Sequence, residues 1–290
     1  MDFQLSDAEK VFIIHGAQEG FRTDGRSCGD YRPIWLERGV LATTDGSARV
    51  RIGDTDIIAG VKAELVQCED SSLEKERLVF NVDCSANATP QFIGKGGEEL
   101  AEELADALAI AYSNDEAIPE LKKLTVSNNH FWRLYIDVVI LQYGGTIVDA
   151  ASIGVKAALF DTQLASLVTR RADEKKMTVE LPEGDETWTL DVTHAPIIVS
   201  VSMIGSSKVV DASIGEETCS FSSLWLGFSC KVSPVESIVT LCRQTGGGSL
   251  DSMSLDEMIQ LGVEAASKVN EAVLSRLATD ERGQPGQSFL

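Results

Sequence analysis

Two hydrophobic rhythms alternate along this chain. Residues 47–52, 56–64, 78–84, 124–127 and 132–141 are rich in valine and isoleucine, the composition of a pleated, half-buried surface, and are predicted strands. Between and after them, residues 96–112 set Leu100, Leu104 and Leu108 four apart, one face of a helix. Residues 148–164 form a second, alanine-rich helix so apolar that it must be buried nearly all round. The pattern then recurs, with strands predicted at 187–192, 196–204, 208–211, 218–230 and 237–242. A terminal helix follows, capped by Ser252 or Ser254, with Leu255, Met258, Ile259, Val263, Ala266, Val269 and Val273 as its inner stripe. Prolines such as Pro33, Pro90, Pro119 and Pro196 fall at the junctions, where a locked φ and a missing donor do no harm. The architecture expected is α+β with two βα halves, residues 1–170 and 187–279, and a tail at 280–290. Between the halves, residues 170–186 are dense in charge and thin in apolar side chains.

Composition supports a folded chain: 290 residues, 43% hydrophobic and 24% charged, close to the globular norm of about 45–50% and about 25%. The longest apolar runs fall well short of the ~18 residues that span a bilayer, so no membrane partner is expected. The amino terminus has neither a basic region nor an apolar run, and an intracellular protein is expected. Lys and Arg number 25 against 45 Asp and Glu, a net charge of −20 that repels nucleic acid from the isolated chain. Six cysteines (Cys28, Cys68, Cys84, Cys219, Cys230, Cys242) contain no Cys-x-x-Cys pair and are expected to be reduced, structural thiols.

Few residues announce chemistry by spacing alone. The run Gly94-Lys95-Gly96-Gly97 ahead of a helix could cradle a phosphate, but Glu98, Glu99, Glu102, Glu103 and Asp106 follow it and would push an anion away. A solvated helix start is the preferred reading. His15, His130 and His194 lie far apart and are expected to be structural. Asp54 and Asp56 could hold a cation, though ordinary turn chemistry accounts for them. Glu216 and Glu217, after Asp211, could do acid-base or metal work, and are expected instead to sit in a solvated turn. No catalytic residue, metal ligand or cofactor site is predicted.

Four segments taken in order resemble the RNase PH family. They are Arg22-Thr23-Asp24-Gly25-Arg26; the run 46–55, Gly-Ser-Ala-Arg-Val-Arg-Ile-Gly-Asp-Thr; Gly144-Gly145 with Asp149-Ala150-Ala151-Ser152-Ile153; and Val209-Val210-Asp211-Ala212-Ser213 with Glu216-Glu217. The resemblance implies an RNase PH-like fold (ribosomal protein S5 domain 2-like) and, within the family, the non-phosphorolytic branch that helps build the six-membered ring of the RNA exosome. Implied partners are paralogous RNase PH-like subunits, S1/KH cap proteins and single-stranded RNA in the assembled ring. The implied role is RNA processing, including ribosomal RNA, and decay, in nucleus, nucleolus and cytoplasm. Phosphorolytic relatives carry an arginine-rich stretch ahead of the helix near Gly96, whose guanidinium forks suit phosphate. Here Lys95 stands alone between Ala86 and Leu104, a possible RNA contact but no clamp. The resemblance to active relatives would place an acid near Asp191, whose flanks do not match. A non-catalytic subunit is therefore expected; a phosphate-dependent 3′–5′ exoribonuclease, or an acidic scaffold without an RNA role, are the alternatives.

Overall fold

The computed structural model describes residues 5–67, 77–114, 118–127, 129–173, 176–180, 186–229, 237–279 and 286–290. A capping box opens the first helix: the Ser6 hydroxyl accepts from the Glu9 amide and the Glu9 carboxylate accepts from the Ser6 amide, starting α1 (Asp7–Gln18). Strands β1 (Ile34–Arg38), β2 (Gly46–Ile52), β3 (Thr55–Gln67) and β4 (Leu78–Cys84) follow, then α2 (Glu98–Tyr112), β5 (Thr125–Ser127), β6 (His130–Gln142) and α3 (Ile147–Asp161). Next come β7 (Gln163–Ala165), β8 (Val168–Asp173), β9 (Lys176–Glu180), β10 (Thr187–Thr189), β11 (Ile197–Ile204), β12 (Ser207–Val210) and α4 (Ile214–Cys219). The chain closes with β13 (Ser222–Ser229), β14 (Ile238–Thr245), α5 (Ser252–Thr279) and β15 (Gln287–Phe289).

Two sheets result. The larger has the order β15-β1-β2-β3-β6-β4, with β5 beside β6; the smaller is β12-β11-β13-β14. Only β4 and β6 among these pairs run parallel, because α2 carries the chain back across the sheet between them. Helix α3 lies between the sheets, against β2 and β3 on one side and β11 on the other. Every residue of it except Phe160 is buried, as its unbroken apolar run requires. Its few polar side chains tie it to several elements: Ser152 Oγ accepts from the Ile198 amide of β11 at 2.7 Å, Lys156 Nζ donates to the Ala195 carbonyl ahead of β11 at 2.7 Å and to Asn270 Oδ1 of α5 at 2.6 Å, and Asp161 accepts from the Ser47 amide of β2 at 3.1 Å. Gly154 lets the helix close on β3, since a Cβ there would stand 2.7 Å from Ile57 Cδ1. One continuous apolar core runs through both sheets and α2, α3 and α5.

Several boundaries differ from the sequence reading. Helix α3 stops at Asp161: Thr162 turns extended, its hydroxyl donates back to the Ala158 carbonyl, and Leu164 enters β7 opposite Trp188. Thr218 and Cys219 belong to α4, not to a strand, because a capping box of Ser213 and Glu216 starts a helix there. Leu124 closes a 3-10 turn begun by Pro119. Asp251, not Ser252 or Ser254, precedes the first helical residue of α5, and its carbonyl accepts from the Leu255 amide. The expected tail ends in β15, which pairs with β1. In the segment expected to separate the halves, 174–175 and 181–185 lie outside the described residues, as do Cys68 and Cys230.

Candidate functional site

Three arginines and two acids that look unrelated in sequence converge where the β6–α3 turn meets the β12–α4 segment. Arg22 is buried; its Nε and Nη2 form a fork on Glu216 at 2.8 and 2.6 Å, and its guanidinium also donates to the carbonyls of Val210 and Asp211 at 3.0 and 2.8 Å. Asp211, fully buried, accepts from Arg26 Nη1 at 2.8 Å and from Arg32 Nη2 and Nε at 2.7 and 2.9 Å. Arg32 reaches on to the Gly144 carbonyl at 2.9 Å. The Asp211 bonds outweigh burial and raise the Arg32 guanidinium above its ordinary value. Glu216 and Glu217 are thus no solvated turn: the first is locked to Arg22, and the second faces the start of α3.

At that start the backbone is forced. Gly145 has φ of 99°, and a Cβ on it would stand 2.4 Å from the Ala212 carbonyl oxygen. Thr146, the residue ahead of α3, is left-handed at φ 56° and ψ 46°, costly for a β-branched side chain. Asp211 is left-handed too, at φ 46°. Thr146 is held by its hydroxyl on the Ala212 carbonyl at 2.7 Å and by its amide, which donates to Glu217 Oε1 at 2.7 Å. Tyr143 OH donates to Glu217 Oε2, also at 2.7 Å. The amide at the positive end of α3, where an anion would be drawn, therefore already serves the protein's own carboxylate.

These residues wall a cleft of about 290 Å³ that includes Tyr143, Thr146, Glu217, Glu103, Trp225 and a group of serines from β11 and β13. Among the described residues that line it, none is cationic; Arg243 stands just outside, paired with Glu103 at 3.2 Å. Burial pushes the Glu217 carboxyl up, against the Thr146 amide, the Tyr143 hydroxyl and Arg32, which favour its charged form. Below the cleft, burial pushes Asp149 well above the carboxylate range, although the Tyr31 hydroxyl and the Ser200 amide donate to it. The sign for stability follows. A raised carboxyl stabilises the fold fully below its unfolded value of about 4.5, and that contribution is lost as pH rises through the folded value. Glu217→Gln removes one such titration, so the plot of Tm against pH above about 4.5 is expected to be flatter than for the unmodified chain. Parallel profiles would show that Glu217 is solvated.

The other sequence candidates lie elsewhere. Lys95 is exposed in the turn before α2 and does not line the cleft. Asp191 is exposed and accepts from the Thr193 amide and hydroxyl at 2.9 and 2.6 Å, an ordinary turn. Asp56 meets Arg49 Nη2 at 2.7 Å and Arg51 Nε at 2.8 Å; despite burial, these hold its carboxyl below the usual range, and two side chains stand where a cation was considered. His15 and His194 are apart from the cleft, and His130 Nδ1 meets Ser127 Oγ at 3.0 Å. Among the described residues no group of three His, Cys, Asp or Glu could hold a metal ion, and the described cysteines Cys28, Cys84, Cys219 and Cys242 are free. No helix of the described residues is long and apolar enough to cross a membrane.

The same two-sheet arrangement recurs in known proteins. A chain of an archaeal exosome core superposes with a TM-score of 0.70 at 22% identity, covering 91% of this chain and 96% of that one. A chain of the "archaeoglobus fulgidus exosome with RNA bound to the active site" gives 0.71 at 24% identity, covering 91% and 97%. The fold is that of an exosome core protein. Residues 30–165 match the RNase PH family, described as "3' exoribonuclease family, domain 1". The exosome complex component Rrp42 of Thermococcus kodakarensis is 36% identical over 206 residues, 71% of this chain and 74% of that protein. A relative in Dictyostelium discoideum, named for an exosome complex exonuclease, RRP42, is 29% identical over 92% of this chain and 95% of its own length. The chain belongs to the RNase PH family, among relatives that carry the Rrp42 name.

Proposed function

We propose that this chain is a structural subunit of the RNA exosome ring, helping to form the channel that leads RNA to a 3′–5′ exoribonuclease, and that it does not itself carry out phosphorolysis. The Rrp42 relatives and the exosome-core fold support the assembly role. One observation carries the second part: Glu217 occupies the amide at the start of α3, in a cleft whose polar lining side chains are acids and hydroxyls. Phosphorolysis needs inorganic phosphate held by forks and helix amides. Here Arg22, Arg26 and Arg32 are committed to Glu216 and Asp211, and the acids repel a second anion.

Working partners on this reading are paralogous RNase PH-like subunits, S1/KH cap proteins and single-stranded RNA in the assembled ring, in nucleus, nucleolus and cytoplasm. Its work includes ribosomal RNA processing. A net charge of −20 fits a protein that binds neighbours and needs basic surface only locally. The name of the Dictyostelium discoideum relative favours the alternative, an exoribonuclease in its own right. Release of nucleoside diphosphates from a tailed RNA decides between them. The purified chain, alone or with one paralogous subunit that is itself inactive, is expected to release none above background when phosphate is added. Phosphate-stimulated release that disappears in Glu217→Gln would overturn the structural reading.

A further inference from the structure

The opposite end of β6 carries a second cleft, of about 270 Å³, lined by Lys123, Val126, Trp132, Ala165, Leu167 and Trp188. Trp132 lies near the start of β6 and Tyr143 just past its end, eleven residues on, roughly 35 Å at 3.3 Å per residue, so this cleft is separate from the one at Glu217. Leu134, Ile136, Val138 and Ile140 project from β6 onto the core and are buried; Trp132 continues that row past the point where the core covers it, and is half-buried. Trp188 reaches the same cleft from β10, whose pairing with β7 sets it opposite Leu164, and it too is half-buried.

Charge of both signs stands at this cleft, where Lys123 lies close enough to Asp191 to favour its carboxylate. Lys122 and Lys123 are adjacent and exposed on the turn after Pro119, in a protein with a net charge of −20. Lys123, 63% exposed, is paired at i,i+3 with Glu120, whose side chain is 24% exposed; pairs that stay partly in water contribute about 0–1 kcal/mol. Two half-buried indoles lining a cleft beside an ammonium are the kind of parts with which proteins hold single-stranded nucleic acid without reading its sequence: bases stack on the rings and the cation takes the backbone. The volume lies under the roughly 300–1,000 Å³ that encloses a drug-sized ligand, and suits one planar ring with its phosphate outside.

We propose that the cleft between Trp132 and Trp188 is a nucleobase site, where one unpaired base of single-stranded RNA stacks on the indoles while Lys123 meets the adjoining phosphate. The inference rests on the exosome reading and deepens it, placing on this acidic subunit a local RNA contact remote from the closed cleft. An aromatic side chain of a docking protein is the competing occupant. It would have no use for the lysine, which favours the nucleotide.

The test uses the complex purified through a tag on the full chain, titrated with single-stranded oligo(A) and oligo(U) while tryptophan emission is followed. Quenching is expected on binding. Trp188→Ala is expected to weaken affinity by roughly 5- to 150-fold, the range for losing one stacked base, and Trp188→Phe to retain most of it. Lys123→Gln is expected to lower the slope of log affinity against log salt by about 0.7, one phosphate on a single strand. Trp132 also packs on the core, so the short-strand residue Trp188 and the surface residue Lys123 carry the test. If the unmodified complex binds RNA and all three variants bind it equally well, the inference fails and the exosome reading stands. It fails also if Trp188→Ala loses a protein subunit while RNA binding is kept, which would make the cleft a protein dock. A complex that binds no RNA would bring down both.

Discussion

Arg22→Ala is expected to destabilise the chain by about 3–5 kcal/mol, the cost of stranding one partner of a buried ion pair. That is a large part of the ~5–15 kcal/mol that holds a domain folded. The Arg22 side chain is fully enclosed and that of Glu216 is 3% exposed, so truncation leaves a carboxylate out of reach of water as well as the bare carbonyls of Val210 and Asp211. Arg22→Met combined with Glu216→Leu removes both charges and restores apolar volume, and is expected to cost less than Arg22→Ala alone. Urea midpoints at unchanged m-value report both differences. A loss under about 1 kcal/mol for Arg22→Ala would place the pair among solvated surface bridges and undo the account of the site.

The turn before α3 is as exacting. Gly145→Ala puts a Cβ at φ 99°, 2.4 Å from the Ala212 carbonyl oxygen and 2.8 Å from the Ile214 amide nitrogen. Left-handed strain of about 1–2 kcal/mol and overpacking of about 1–3 kcal/mol make an expected loss of about 2–5 kcal/mol. Gly247→Ala is the control: nothing lies within 4 Å of its added Cβ, and its effect is expected within about 0.5 kcal/mol. Thermal unfolding of the two variants side by side gives the comparison, and equal melting points would mean the turn can yield.

Sequence pattern carried the fold further than the site. Runs rich in valine and isoleucine located the strands from Gly46 to Gln142, and an unbroken apolar, alanine-rich run located the buried helix α3, to within a few residues, because burial selects such side chains. It failed where local polar bonds decide: the Ser213–Glu216 capping box made helix out of the first two residues of a predicted strand, Thr218 and Cys219. It failed again at the acids. Glu216 and Glu217 looked like solvated surface because charge beside charge usually is, and their partners Arg22 and Thr146 lie 194 and 71 residues away. The hint present was the pair Val209-Val210 running straight into Asp211, an acid in a stretch otherwise spelled for burial. Trp132 and Trp188, at distant points in sequence, offered no local sign of a shared cleft.

Helix α3 is claimed by both sheets at once, with β2 and β3 on one side and β11 on the other. Were the two large sheets parted, the first would bare an apolar wall of α3 and the second would bare β11, in which every residue is buried. The two sheets hold their inside in common, and a change along α3 is felt by both.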